Sequence, residues 1–177
     1  TLAQVGYYTE APEKPGQWYG KGAEALNLQG EIDPQELSNL FQGLSQDGTT
    51  KLTQNAGEPN RRNAYDLTFS APKSFSALWA IGKEEDRAKL ESIEERAIKT
   101  ALDEAQNYIV TRTGKGGINR EHCELVLALF PHSTSRAEEP NRHTHCLLMN
   151  IGVREDGQTS ALDVSDLYRM KMTLGAI

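Results

Sequence analysis

Two apolar runs constrain this chain more than anything else in it. CELVLALF (123–130) and HCLLMNIGV (145–153) are each of strand length, and one short polar stretch separates them. Paired antiparallel, the end of the first lies beside the start of the second. The intervening segment, within PHSTSRAEEPNRHTHCLLMN (131–150), carries three of the four histidines. Successive strand residues alternate faces, so His143 and His145 project the same way, and the pairing brings His132 close to both. Three neutral imidazoles make half of an octahedral site or three corners of a tetrahedral one. Such a set suits zinc, manganese, copper, iron or nickel and leaves positions open, as catalytic metals require. The plainer alternative is a set of hydrogen-bonded histidines in a polar loop.

The rest of the chain supplies further elements. EAPEKPGQWYGKG (10–22), with two prolines and three glycines, reads as loop. IDPQELSNLFQG reads as a short helix with Asp33 as N-cap, Pro34 in the first position and Gly43 at the stop. Residues 45–63 are polar and turn-rich, the pattern of a mobile surface loop. AYDLTFS alternates, with Leu67 and Phe69 on one side and Asp66, Thr68 and Ser70 on the other, as in a half-buried strand. SAPKSFSALWAIG predicts a helix with Ser70 near its cap and Pro72 in its first turn. Residues 84–109 predict a long helix with an apolar stripe of Leu90, Ile93, Ala97, Ala101, Ala105 and Tyr108. TGKGGIN is a break, REDGQ a hairpin-like turn, and a last helix is expected from about Asp163. Strands mixed with long helices in irregular order imply an α+β domain with an antiparallel sheet flanked by helices.

Length and composition set bounds. The 177 residues suffice for one domain, and 37% hydrophobic with 25% charged residues is ordinary for a soluble protein. No apolar run approaches a membrane span. The chain opens at Thr1, as a processed or trimmed terminus would. Cys123 and Cys146 read as reduced thiols of a cytosolic protein. A net charge of −6 argues against nonspecific nucleic-acid binding, though not against a local basic groove.

A metal site needs a group to orient its ligands, and Asp66, on the polar side of an otherwise apolar strand, is a candidate; a plain edge-strand carboxylate is the alternative. VGYYTE holds Tyr7 and Tyr8 side by side. A phenol is a weak nucleophile near neutral pH, and a metal or base can activate it. Tyrosine pairs also occur for packing alone.

In order along nearly the whole chain, VGYYTE, QWYGKGAEALNLQGEID, YDLTFSAPKSFSALWAIG and LALFPHSTSRAEEPNRHTHCLLMN resemble the relaxase domain of conjugative plasmid-transfer proteins, the MobF or TrwC/TraI-type family. The resemblance implies a relaxase palm of the HUH-endonuclease kind and site-specific nicking of one DNA strand at an origin of transfer. A tyrosine would attack the scissile phosphate, leaving a 5′-phosphotyrosyl link and a free 3′-OH. Carried over by position, it makes His132, His143 and His145 ligands of a divalent ion, magnesium or manganese in use with zinc as an option. It makes Asp66 the carboxylate that orients a ligand histidine or helps deprotonate the nucleophile, and Tyr7 the nucleophile, with Tyr8 in reserve. It further implies single-stranded DNA as partner, accessory relaxosome and coupling proteins, no membrane, and a cytoplasmic setting. A hydrolytic three-histidine metallonuclease and a non-catalytic single-stranded-DNA-binding remnant are the competing readings.

The chain departs from the family's pattern in carrying one tyrosine pair before Trp18 where many members carry two. It also stops at Ile177, short of the C-terminal helices that cover DNA, so a single domain over 1–177 lacking that part is expected. Lys73, at a helix start, and Arg61, Arg62, Lys21, Arg136 and Arg142 are the cations that would line a DNA groove, or else solvated surface charges. Trp18 would stack on a base or anchor its loop in the core.

Overall fold

The computed structural model describes residues 14–135 and 137–174, the last five of them by backbone alone. The chain is α+β. Strand β1 (Gln17–Tyr19) is followed by helices α1 (Lys21–Ala25) and α2 (Pro34–Phe41) and by strand β2 (Ala64–Ser70). Helices α3 (Lys73–Ile81) and α4 (Glu84–Ala105) come next. Then come β3 (Val110–Thr113), β4 (Asn119–His122), β5 (Glu124–Thr134), β6 (Pro140–Val153), β7 (Thr159–Ser160), β8 (Leu162–Asp163) and α5 (Ser165–Leu174). The main sheet is antiparallel in the order β1-β5-β6-β2, with β7 extending from β6, and a smaller sheet runs β4-β3-β8.

The two apolar runs are the centre of this sheet because both of their faces are covered. Val126, Ala128, Phe130, Leu147, Met149 and Ile151 turn toward one layer, built on Leu28, Leu37, Leu40 and Phe41. Leu125, Leu127, Leu129, Cys146 and Leu148 turn toward the other, built on Ile98, Leu102, Ala105, Ile109 and Leu167. Strand β2 lies beside β6 with Thr68 opposite His145 and Ser70 opposite His143. Its Asp66, Thr68 and Ser70 therefore share the histidine face, while Leu67 and Phe69 pack on the second layer.

Helix α2 forms as its sequence dictates. The Asp33 side chain accepts from the N–H groups of Gln35 (2.7 Å) and Glu36 (3.1 Å), Pro34 opens the helix, and Gly43 follows its end at φ 77°. REDGQ is a turn, closed by Arg154 N–H donating to Gln158 O at 2.8 Å. Both cysteines are buried free thiols, and burial pushes Cys123 up to about 12.

Five expectations need correction. The stretch expected to be loop up to residue 22 contains β1, paired with Leu127–Leu129, and buries Trp18 in the first core layer. Trp18 thus anchors its segment. Gly20 (φ 98°) is demanded there, since a Cβ would sit 2.5 Å from Leu125 O. The 45–63 segment is no mere surface loop: Leu52, Thr53, Ala56 and Arg61 are buried. Ser70 does not cap α3; it is still paired in β2, and Pro72 is the N-cap without a side-chain hydrogen bond. In α4 the inward stripe is Glu94, Ile98, Ala101, Leu102 and Ala105, while Ile93 is 48% exposed. The helix also ends at Ala105 and passes into a single 3₁₀ turn, Gln106–Tyr108. Among the described residues no helix is long and apolar enough to cross a membrane.

Candidate metal centre

Strand register builds this site. His132 pairs directly with His143 across β5 and β6, and His145 follows two residues on, opposite Phe130. All three rings emerge on one face at the end of the sheet. Their centroids form a nearly equilateral triangle with sides of 5.3, 5.4 and 5.2 Å.

Two rings are oriented by hydrogen bonds at Nδ1. His145 Nδ1 lies 2.8 Å from Asp66 Oδ2, and His143 Nδ1 lies 2.8 Å from the carbonyl oxygen of Asn141. Both acceptors lack hydrogens, so each Nδ1 donates and leaves Nε2 as the lone-pair nitrogen. Asp66 is itself steadied by Thr68, whose hydroxyl donates to Oδ1 at 3.1 Å and lies 3.2 Å from His145 Nδ1. A carboxylate behind a ligating histidine fixes its tautomer and raises its basicity.

The spacing suits a shared cation. An ion about 2.1 Å from each nitrogen stands about 3.2 Å from each ring centroid, and ligand directions about 109° apart then separate the centroids by about 5.2 Å. Among the described residues no group of three or more His, Cys, Asp or Glu side chains stands in an arrangement that could hold a metal ion as it is. The centroid triangle nonetheless has the size that three imidazoles around one ion require.

The expected cations scatter. Lys73 opens α3 near the histidines, but its ammonium pairs with Glu139 at 2.9 Å. Arg142 turns away from the site. Being adjacent to His143 in a strand, it points to the opposite face, where it is 5% exposed. There it donates from Nε (2.9 Å) and Nη2 (2.6 Å) to Glu94 and lies over the Trp79 ring. The expectation that it contacts phosphate is corrected on that ground. Arg61 is likewise buried, donating to the carbonyls of Arg62 and Asn150, so it braces the chain rather than facing a groove. Arg62 is exposed, against the Tyr65 ring, at the end of β2 away from the histidines. Lys21 is exposed in α1, which packs on β5 near Leu125, seven residues before His132 and roughly 23 Å from it at strand rise. Tyr7, Tyr8 and Arg136 lie outside the described residues.

Sequence reasoning missed Thr68, Asn141 and Glu94. Thr68 was findable, being two residues from Asp66 on the same strand face. The Asn141 carbonyl carries no sequence signal. Glu94 was hidden because a carboxylate in a charged helix reads as solvated. A cleft of about 720 Å³ runs along β2, bordered by Asp66, Thr68, Ser70, Phe75 and Tyr168.

Comparison with known proteins gives consistent results. A family profile described as TrwC relaxase matches residues 1–177. The multifunctional conjugation protein TraI of Escherichia coli (strain K12) is 36% identical over 137 residues, covering 76% of this chain and 8% of TraI. The metal-bound structure of the conjugative relaxase TrwC with oriT DNA superposes with a TM-score of 0.83 at 32% identity, covering 99% of this chain and 62% of that one. A copper-bound TrwC complex with oriT DNA matches with the same TM-score at 31% identity, over 99% and 62%. This chain thus spans less than a tenth of TraI and about three fifths of the TrwC chains.

Proposed function

Because the chain belongs to the TrwC relaxase family, we propose that it nicks one DNA strand at an origin of transfer and transfers that strand to a tyrosine. The observation that carries this reading is the triangle of His132, His143 and His145 with Asp66 hydrogen-bonded to one corner. The family membership and the oriT DNA in the TrwC complexes support the choice of substrate.

The three histidines would hold a divalent ion through Nε2, and such an ion supplies Lewis-acid polarisation of a phosphate oxygen. Imidazole donors favour manganese or zinc, whereas phosphoryl chemistry in cells commonly employs magnesium. Asp66 keeps His145 in the tautomer that offers Nε2 outward. Tyr7 is the nucleophile, with Tyr8 as its alternate. Its phenolic oxygen bonds to phosphorus as the bond to the 3′ oxygen breaks, and the departing oxygen takes a proton to become a free 3′-OH. The phosphotyrosyl ester keeps the bond energy available for rejoining, which hydrolysis would lose to water. The setting is the cytoplasm, with single-stranded DNA and the accessory and coupling proteins of a transfer complex as partners.

The test is a single-stranded oligonucleotide spanning the chain's own origin, incubated with manganese or magnesium and resolved on a denaturing gel. A covalent protein–DNA adduct is expected, and Tyr7→Phe should reduce it at least a hundredfold while Tyr8→Phe leaves most of it. Cleavage with no adduct supports a hydrolase instead. Metal and DNA binding with no cleavage supports a purely binding role.

A further inference from the structure

His143 is oriented by a backbone carbonyl. Its Nδ1 lies 2.8 Å from the oxygen of Asn141. That oxygen belongs to the same peptide group as the N–H of Arg142. The peptide is trans, so its carbonyl and its N–H point in opposite directions and turn together. Whatever holds the Arg142 N–H therefore aims the Asn141 oxygen.

The holder is Ser76 of α3. Its Oγ accepts from the Arg142 N–H at 2.9 Å, and the residue is fully buried. The hydroxyl proton is directed at Pro72 O, 3.4 Å away in the first turn of the same helix, which leaves the oxygen lone pairs to accept. Strand β2 ends at Ser70, opposite His143. One residue on, the Ala71 N–H still donates to Arg142 O at 2.9 Å, while the Arg142 N–H turns to Ser76. On the other side, the pairing jumps from His132–His143 to Thr134–Pro140, so Asn141 and Arg142 stand against Ser133 alone. Two residues against one is the count of a β-bulge, and a bulge disrupts the ladder where it sits. The 141–142 peptide thus lies where regular pairing gives out, and a side chain from the next helix takes over.

We propose that Ser76 is a positioning residue for His143: it holds the 141–142 peptide so that the Asn141 carbonyl keeps the imidazole proton on Nδ1 and leaves the Nε2 lone pair for an ion. That an ion occupies the triangle rests on the function proposed above; the tautomer does not. The Glu94–Arg142 pair is separate from this device, because it grips the side chain of residue 142 and not its amide. Which ring nitrogen carries the proton is set by the hydrogen bond the other makes. Losing the aim of the carbonyl lets the proton move to Nε2, where it competes with a metal.

The experiment records long-range ¹H–¹⁵N spectra of the imidazoles in the metal-free full chain at about pH 8.5, where neutral imidazole predominates. His143→Asn identifies the His143 signals. Wild type is expected to show a pyrrole-type Nδ1 and a pyridine-type Nε2 at His143. Ser76→Ala should shift that ring to a mixture or to the Nε2–H form, and zinc affinity by titration calorimetry should fall about tenfold. Ser76→Thr, which keeps the hydroxyl, should restore both. Glu94→Leu combined with Arg142→Leu leaves the amide and Ser76 in place and should keep both as in wild type. Asp163→Asn, destabilised in the second sheet, should also leave both unchanged. If Ser76→Ala does not fold, Ser76→Cys keeps a weaker acceptor of similar size and should give an intermediate mixture. An unchanged His143 tautomer in these Ser76 variants, or an equal shift in Asp163→Asn, overturns the inference. The Nδ1–H form in wild type and its loss in Ser76→Ala, with no zinc binding by either, support the positioning role and overturn the metal reading.

Discussion

Asp66 is hydrogen-bonded to His145. The 2.8 Å contact between its carboxylate and Nδ1 orients that ring through a side chain, whereas His143 is oriented by a backbone carbonyl. Asp66→Asn presents either an amide oxygen or an NH₂ to that nitrogen and removes the charge that raises imidazole basicity. Manganese or zinc affinity, measured by titration calorimetry, should fall about 10- to 100-fold while the fold is kept. Thr68→Val should produce a smaller loss of the same kind, since it removes only the hydroxyl that steadies Asp66. Asp66 and the three histidines were legible in the sequence because strand alternation states which side chains share a face. Arg142 was misread for a related reason. Alternation puts it on the face opposite His143, but its charge and its place between histidines suggested phosphate, and burial of an arginine is visible only once Glu94 is known to face it.

At the scale of elements, the Glu94–Arg142 pair joins α4 to β6, and the α3 Ser76 hydroxyl accepts from Arg142 N–H at 2.9 Å. The side chains of both charged partners are less than a tenth exposed. Glu94→Ala strips the buried Arg142 of its close partner and leaves it Glu91 at 3.7 Å, so it should cost about 3 kcal/mol in urea unfolding. Arg142→Leu combined with Glu94→Leu should cost far less than Glu94→Ala, because the desolvation penalty disappears with the charges. The helix itself was legible from its length, but its buried stripe was not. A glutamate in the seam breaks the apolar period, and the reading shifted the stripe to Ile93 and Ala97, which the fold leaves exposed. Strand β1 was obscured in the same way: three residues among glycines and prolines become a strand only because Leu127–Leu129 offer an edge to pair with.

For the molecule as a whole, the main sheet was foreseeable and the small sheet was not. Strands β3, β4 and β8 are two to four residues long, with β4 wholly exposed, so no hydrophobic pattern marks them. Asp163 holds this second sheet together. Its carboxylate accepts from Arg112 Nε of β3 at 2.7 Å and from Ser165 N–H at the start of α5 at 3.1 Å. Burial opposes its charge, but the Ser165 and Arg112 hydrogen bonds and the Arg112 charge outweigh that and hold its pKa at about 2. The folded value lies below the unfolded one near 3.9, so the folded state binds this proton less readily. Its contribution is therefore complete above about pH 4 and is lost as the pH falls through about 2. Arg112 is 58% exposed, so solvent screening reduces the pair's worth. Asp163→Asn should then lower stability by about 1 to 2 kcal/mol at pH 7. Thermal melts across the pH range should show the wild-type and variant curves separated by a few degrees near neutrality and merging by about pH 2. A separation that persists undiminished at pH 2 would mean that Asp163 acts through packing rather than through its charge.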